Sequence, residues 1–556
     1  MSVTKTDFSM VLQRTMAWGA LLLLGACNSG GGDTPGGVED STAALAINDS
    51  SFARHIKMLA SDSFEGRKPF TKGEELTIDY LSTQFKQLGL QPGNGSSYVQ
   101  EVPMVEIRSV PAGDLVIKGK SGSLSLKYLD EYVAATRRVQ DLVKVENSPI
   151  VFAGYGIVAP EYGWNDYAGL DVKGKTVLVL VNDPGFTDST LFKGRTMTYY
   201  GRWTYKFEEA ARQGATGVII IHDTKPASYP WTVVRSSWSK SRLYLQTADN
   251  NLSRAVMEGW MSTESATRLF QLAGVSPDLL KQAGKKGFKP VDLGVTTSLV
   301  INNQLKKSTS HNVLALLPGT DRKDEYIIYS AHWDHFGKGE AINGDSIYNG
   351  AVDNATGTAA LLEIAAAFSK AKPPSRSVLF ISVTGEEQGL LGSEYYTTHP
   401  VYPVAKTVAN INMDVLQPFG RMKDIGVVGY GQSELDEYAV EAAGRQHRTV
   451  HGEPDPSGGW YFRSDHFNFA KVGIPSLYIE NGIESVNHEP GWGKAQGEEY
   501  NHVRYHSPKD EYSDSWDFSG MVEDARLLFQ IGHRLSTENT FPEWKPGSEF
   551  KAIREK

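Results

Sequence analysis

The chain has 556 residues, enough for more than one domain. Hydrophobic residues at 40%, charged residues at 22% and a mean hydropathy of −0.33 are the proportions of a soluble globular protein. A net charge of −9 with no basic run argues against nucleic acid as a partner.

The first elements are not globular. MSVTKTDFSMVLQR carries Lys5 and Arg14, and TMAWGALLLLGAC follows, an apolar run shorter than the roughly 18 residues of a membrane span. Residues 1–27 read as a secretory signal. Cys27 is the sole cysteine, so no internal disulfide forms even in an oxidising compartment. It follows Leu24-Gly25-Ala26, which resembles the bacterial lipobox. That resemblance implies a lipid on Cys27 and export as a membrane-anchored lipoprotein of a Gram-negative-type bacterium. Asn28, in place of an acidic residue, implies the outer membrane, facing the periplasm or the outside. NSGGGDTPGGVEDSTAA then reads as a flexible tether over 28–48. No later apolar run approaches a span, so the lipid is the only expected membrane contact.

From about Ser50 the pattern predicts two helices with a polar break. Ile78, Leu81, Phe85 and Leu88 recur at helical spacing, and Gly89 ends the run. Short strand-like pieces follow from Val102 to Val139. Between about Asn147 and Asn250 the order is strand, Gly-Lys turn, β-branched strand, helix, Gly stop and a further buried strand, which predicts a small β-rich α/β module. KGKTVLVLVND and AARQGATGVIII resemble the protease-associated domain inserted in several secreted peptidases. Residues 262–274 then predict a helix with Ala266, Leu269, Phe270 and Ala273 on one face, and Ser276-Pro277 opens another.

From about Ser310 apolar runs of strand length alternate with helices. HNVLALLPG, EYIIYSAHWDH, SVLFISVTG and KTVANINMDVL are the strands; NATGTAALLEIAAAFSKA and QGLLGSEYYTTH are the helices. Such alternation predicts an α/β fold with a mixed, mostly parallel central sheet covered by helices on both faces. In such sheets the site lies at the carboxyl ends of the strands. Those ends deliver His332 and Asp334, then Glu386 and Glu387, then Asp414. Asp353 stands just before a helix that Asn354 or Thr356 can cap, which frees its carboxylate. His506 follows much later in a loop. His and carboxylate donors at successive strand ends suit Zn²⁺ or a similar divalent ion.

HWDH, NGAVDNATGTAALLEIA, TGEEQGLLGS, NMDV and YHSPKDEYS resemble the M28 family of zinc peptidases, which includes aminopeptidases and glutamate carboxypeptidases. The resemblance implies two zinc ions. His332 and Asp414 would hold one, Glu387 and His506 the other, and Asp353 would bridge them. Glu386 would be the general base, and Asp334 would orient His332. A bridging carboxylate offsets the repulsion of two ions about 3.5–4 Å apart, and a ligating His commonly gives its other N–H to a carboxylate.

The expected organisation is a signal over 1–27, a tether over 28–48, an N-terminal part of the catalytic domain over 49–140, an inserted protease-associated domain with a helical extension over 141–300, a catalytic core over 301–540 and a tail over 541–556. The expected activity is hydrolysis of N-terminal residues from peptide substrates by activated water. Alternatives are a glutamate-carboxypeptidase-like enzyme, for which Arg463 and Arg504 could supply a cationic pocket, a one-zinc glutaminyl-cyclase-like enzyme, or a silent binding protein. His466 reads as pocket wall, and His335, Glu340 and Asp345 as a polar loop. Tyr478 or Tyr505 could donate to a tetrahedral intermediate, though packing is the plainer role for each. No nucleotide loop or serine nucleophile elbow is present. Oligomeric state and side-chain preference are not legible.

Overall fold

A computed structural model describes residues 39–555. The signal, Cys27 and the tether up to residue 38 lie outside the described residues. From Glu39 the expected tether gives way to packed structure. Glu39–Ala44 is a helix, and Ala43, Ala44 and Ile47 are buried in the main core. These small apolar side chains find partners on the helices Gly357–Lys370 and Ser519–Thr537, which offsets the entropy of ordering them. No helix among the described residues is long and apolar enough to cross a membrane.

The two predicted N-terminal helices form as Asp49–Leu59 and Lys72–Gln87. Asn48 caps the first by accepting the Ser51 N–H. Leu81 and Phe85 of the second are fully buried, and Gly89 (φ +78°) ends it in the left-handed region.

One strand organises everything after them. Val291–Leu317 runs for 27 residues and belongs to two lobes at once. Its first half alternates buried and exposed positions, as a sheet with one wet face requires; the segment Asn312–Ala315 is buried throughout. Residues 301–313 pair antiparallel with Val99–Pro111. On the other edge residues 313–317 pair antiparallel with Arg376–Val383. That strand pairs in parallel with Arg322–His332, which pairs in parallel with Thr407–Asn412, and that in turn with Ser476–Asn481. Asp424–Val427 adds antiparallel to it, and Thr449–Gly452 follows in parallel at this end. The sheet is therefore mixed and mostly parallel, as expected.

Helices cover both faces. Gly357–Lys370 and Ser519–Thr537 pack Phe368, Leu528 and Phe529 with Tyr329 and Phe380 on one side. Leu391–Thr398 and His466–Lys471 pack Tyr396 and Phe469 on Ile328, Leu379 and Ile381 on the other. Truncating one such core side chain to Ala would cost about 2–5 kcal/mol.

The second lobe sits on the first half of the long strand, which pairs with Leu142–Phe152. Thr176–Leu180, Gly217–His222 and Met257–Ser262 continue it as parallel strands. The lobe begins before the expected boundary at 141. Leu115, Ile117, Leu126 and Tyr132 share a core with Phe152 and Phe270, and Tyr132–Ala135 pairs with Met257–Ser262. The predicted helix forms as Thr263–Ala273, with Ser262 as its cap and Gly274 at φ +69° behind it. The C-terminal segment after 540 is no loose tail. Trp544 and Phe550 are buried, and the Trp544 indole donates to the Gly473 carbonyl at 2.8 Å.

Candidate metal centre

Three parallel strands end side by side, and their last residues reach one buried place. Arg322–His332 ends on His332, and Arg376–Val383 runs into Thr384-Gly385-Glu386-Glu387. Thr407–Asn412 runs into Met413-Asp414. Gly385 at φ +66° turns the second strand so that both glutamates follow at once.

The loop carrying Asp353 is tied down by others. Asp510 accepts the backbone N–H groups of Val352 and Asp353 at 3.0 Å each. Asn354 Oδ1 accepts the Gly357 N–H at 2.9 Å, so the helix is capped by the neighbour and the Asp353 carboxylate stays free. The Asp353–Asn354 peptide is cis.

Asp353 lies between two histidines. Its Oδ1 is 3.3 Å from His332 Nε2, and its Oδ2 is 3.2 Å from His506 Nε2. His332 Nε2 is also 3.1 Å from Asp414 Oδ1, and His506 Nε2 is 3.2 Å from Glu387 Oε2. His332, Asp353, Glu387, Asp414 and His506, spread over 175 positions of the chain, thus meet. Glu386 joins them: it offers an oxygen within 4.8 Å of donor atoms of His332 and Asp414.

Asp334 differs from expectation. His332 Nδ1 lies 3.1 Å from the Asp334 carbonyl and 3.9 Å from its carboxylate. The turn after the strand brings the backbone oxygen closer than the side chain. The carboxylate instead accepts the Glu386 N–H at 3.1 Å, so Asp334 holds the Glu386 backbone as well as the ring.

His335 belongs to the site, although its position in a Gly-rich loop suggested otherwise. Its Nδ1 is 2.6 Å from Glu387 Oε1, and with Asp353 and Glu387 it forms a second group with donor atoms within 4.8 Å of one another. The signal was present in HWDH, a second histidine three residues after the first. Arg67, from the polar break between the first helices, was not legible at all. Buried, it donates to the carbonyls of Trp333, Asn349, Gly350 and Leu59, and its own carbonyl accepts the His335 N–H. It fastens both ends of the 333–350 loop, because buried carbonyls must find donors.

The remaining candidates take lesser places. The Tyr478 hydroxyl donates to the Asp414 carbonyl at 3.1 Å, and Ser464 donates to Asp414 Oδ2 at 2.6 Å. His466 is buried between the rings of Tyr461 and Tyr478. Tyr505 stacks on His506 with ring centres 3.7 Å apart and faces the cleft. Asp345 caps its own hairpin turn, and Glu340 is exposed. Arg504 pairs with Glu499 at 3.3 Å, whereas Arg463 lines the cleft.

The electrostatics ask for a cation. Burial alone would lower His332, yet Asp414, Glu386 and Asp353 hold it well above the usual histidine range. Burial likewise opposes a charged His506, but Glu387 and Asp353 push it up to about 10. Burial would raise Asp353, and the hydrogen bonds from His332 and His506 hold it well below the usual range instead. Glu386 goes the other way. Burial, then Asp414 and Glu387, raise it well above the usual range, with His332 opposing. A buried cluster that draws protons onto its histidines is one where metal ions replace those protons. The nitrogen and oxygen donors suit zinc or a similar divalent ion, so the residues fit the group.

Fold and site together define a mixed α/β protein with a carboxylate–histidine centre at the carboxyl ends of its parallel strands. Residues 312–529 match the model of Peptidase family M28, and they form a domain of metallopeptidase type. Among curated proteins, the chain is 35% identical over 138 residues to "Aminopeptidase NAALADL1" of Mus musculus, covering 23% of this chain and 17% of that protein. It is 27% identical over 350 residues to an "Aminopeptidase" of Pseudomonas aeruginosa strain UCBPP-PA14, covering 60% of this chain and 56% of that protein. The chain thus spans less than two thirds of these relatives. Among solved structures, "Aminopeptidase from Aneurinibacillus sp. strain AM-1" aligns at a TM-score of 0.48 and 20% identity, over 90% of this chain and 97% of that one.

Proposed function

We propose that the protein is a zinc-dependent exopeptidase that removes N-terminal residues from peptides. The observation that carries this reading is Asp353 set between His332 and His506, with Glu386 beside them. His332 and Asp414 would hold one zinc ion, Glu387 and His506 a second, and Asp353 both. Bound there, zinc would polarise the scissile carbonyl and make water acidic enough to attack near neutral pH.

The chain's own residues do the rest. Glu386 takes the proton of the attacking water and hands it to the leaving amine. Asp334 fixes the Glu386 backbone, so the carboxylate swings from a held point. Tyr505, which lines the cleft beside His506, would donate to the oxygen that gains charge. The substrate's protonated amine would sit among the carboxylates beside Glu387 and His506, which favours attack at the amino end. The names of the relatives agree with that direction.

The test is hydrolysis of amino-acid p-nitroanilides and their N-acetylated counterparts, with and without chelator, alongside metal analysis. Chelator-sensitive cleavage of the free-amine substrates alone, with two zinc ions per chain, is expected. One zinc per chain with cyclisation of N-terminal glutamine would replace this reading with the cyclase.

A further inference from the structure

The two histidines that flank Asp353 are oriented by different means. A histidine that binds metal through one ring nitrogen commonly gives the other to a carbonyl or carboxylate, which fixes the plane of the ring. His332 follows that rule. Buried, it turns Nε2 to Asp353 and Asp414 and Nδ1 to the Asp334 carbonyl at 3.1 Å. His506 does not. Its Nε2 faces Asp353 and Glu387, but among the described residues no carbonyl or carboxylate takes its Nδ1. Its side chain is 36% exposed, and its backbone stands at φ +55° in a loop. The ring therefore has no polar support on the side away from the site.

Two aromatic rings take that place. Tyr505 stacks on the imidazole with ring centres 3.7 Å apart and planes 24° apart. Phe336 meets it edge-on at 68°, with centres 4.6 Å apart. Consecutive side chains of an extended chain point apart; the left-handed turn at His506 folds its ring back onto its neighbour. Both clamping rings are themselves braced. Tyr505 packs on buried Tyr500 at 6.1 Å, and the Tyr500 hydroxyl donates to Asp510 at 3.2 Å. Asp510 is the residue that holds the Asp353 loop. Phe336 packs on Tyr348 at 6.2 Å, where Gly337 and Tyr348 pair across a hairpin. Through these rings His506 is fastened both to the Asp353 loop and to the segment that follows His335.

We propose that Phe336 and Tyr505 are positioning residues that clamp the His506 imidazole in its metal-binding orientation, in place of the hydrogen bond that orients His332. The inference rests on the zinc reading of the site. It divides Tyr505 into two separable parts: the ring holds His506, and the hydroxyl serves the reaction. Aromatic pairs add modestly to what burial supplies, so each ring should contribute a factor of about three to ten to the affinity for the ion that His506 holds.

The test is competition of the zinc-loaded full chain against a chelating dye, together with the visible absorption of the Co²⁺-substituted protein, which responds to how a histidine ligand is turned. Tyr505→Leu and Phe336→Leu should each weaken one of the two ions about three- to tenfold and alter the Co²⁺ spectrum. Combined, they should weaken that ion about 10–100-fold. The other ion, held by His332, should keep its affinity throughout. Tyr505→Phe keeps the ring and deletes the hydroxyl. It should match the wild type in metal affinity and Co²⁺ spectrum while its turnover falls. Tyr505 is 42% exposed, so its variants carry the test alone if thermal melts show that Phe336→Leu does not fold. Leucine variants with unaltered affinity and spectrum, an equal loss of both ions, or a Tyr505→Phe variant as weakened as Tyr505→Leu would each overturn the clamp. A wild-type protein that takes up no metal would sink the zinc reading itself. Two bound ions that the leucine variants leave untouched would sink the clamp alone.

Discussion

Both lobes contain three adjacent parallel strands that end in polar residues, yet only one has a metal-type centre. In the inserted lobe the strands Thr176–Leu180, Gly217–His222 and Met257–Ser262 lead to Asp183, His222 and Ser262. Each is closed locally. Asp183 accepts N–H groups from Gly185 and Thr198 and the Thr198 hydroxyl. His222 Nε2 meets the Tyr229 carbonyl at 3.0 Å, and Ser262 caps the following helix. In the other lobe His332 meets Asp353 and Asp414, and Glu387 meets His335 and His506. A strand-end polar group satisfied by nearby backbone is structural; one satisfied only by other charged side chains still lacks a counter-ion.

That contrast can be broken in four ways. The largest effect is expected from Glu386→Gln, which removes the proposed proton carrier and leaves its shape. We expect kcat to fall by about 10²–10⁴-fold while metal analysis finds the same zinc content. Retention of full activity would remove Glu386 from the reaction.

Asp183→Ala tests the other lobe. It deletes the acceptor of three hydrogen bonds and a countercharge for buried Lys206, whose pKa is lowered to about 7 by burial against the pull of Asp183 and Asp166. A loss of about 2–4 kcal/mol in denaturant unfolding is expected, with zinc content unaltered. A loss of metal instead would mean that the lobes are not separate in this respect.

His335→Ala should weaken metal binding by about 10–100-fold in competition with a chelating dye, since it deletes the support on Glu387. An unaltered affinity would return His335 to packing.

The smallest effect concerns His311, whose Nδ1 lies 2.8 Å from Glu74 and whose carbonyl accepts the Trp333 indole beside the site. The Glu74 hydrogen bond raises the His311 pKa above its unfolded value near 6.5, with burial opposing. A raised pKa means the pair stabilises fully below about pH 6.5 and loses that contribution as pH rises through the folded pKa. His311→Gln should therefore lower the melting temperature slightly at pH 6 and less at pH 9. An equal deficit at both would show that the charge is not involved.

The readable part of this protein was what local chemistry forces. Apolar runs at strand length and the spacing of Leu81 and Phe85 announced strands and helices, because burial imposes those periods. His332, Glu386, Glu387 and Asp414 were legible because each closes an apolar run, and Asp353 because its neighbour could cap the helix. The rest depended on what folded against what. The 27-residue strand was hidden by its polar middle, NQLKKSTS, which carries no apolar run of strand length. Residues 112–140 read as catalytic domain until Leu115 and Tyr132 found Phe152. Arg67 and the carbonyl of Asp334 carry no local signature. Their roles arise from distances between segments far apart in the chain, and only the tertiary structure sets those distances. The sequence by itself determined which strand ends carry metal-type donors, His332, Glu386, Glu387 and Asp414, but not that His335 would join them. The packing of the strands decided that His332, Glu386 and Asp414 would face one point, since hydrogen-bond register, not composition, aligns the strand ends.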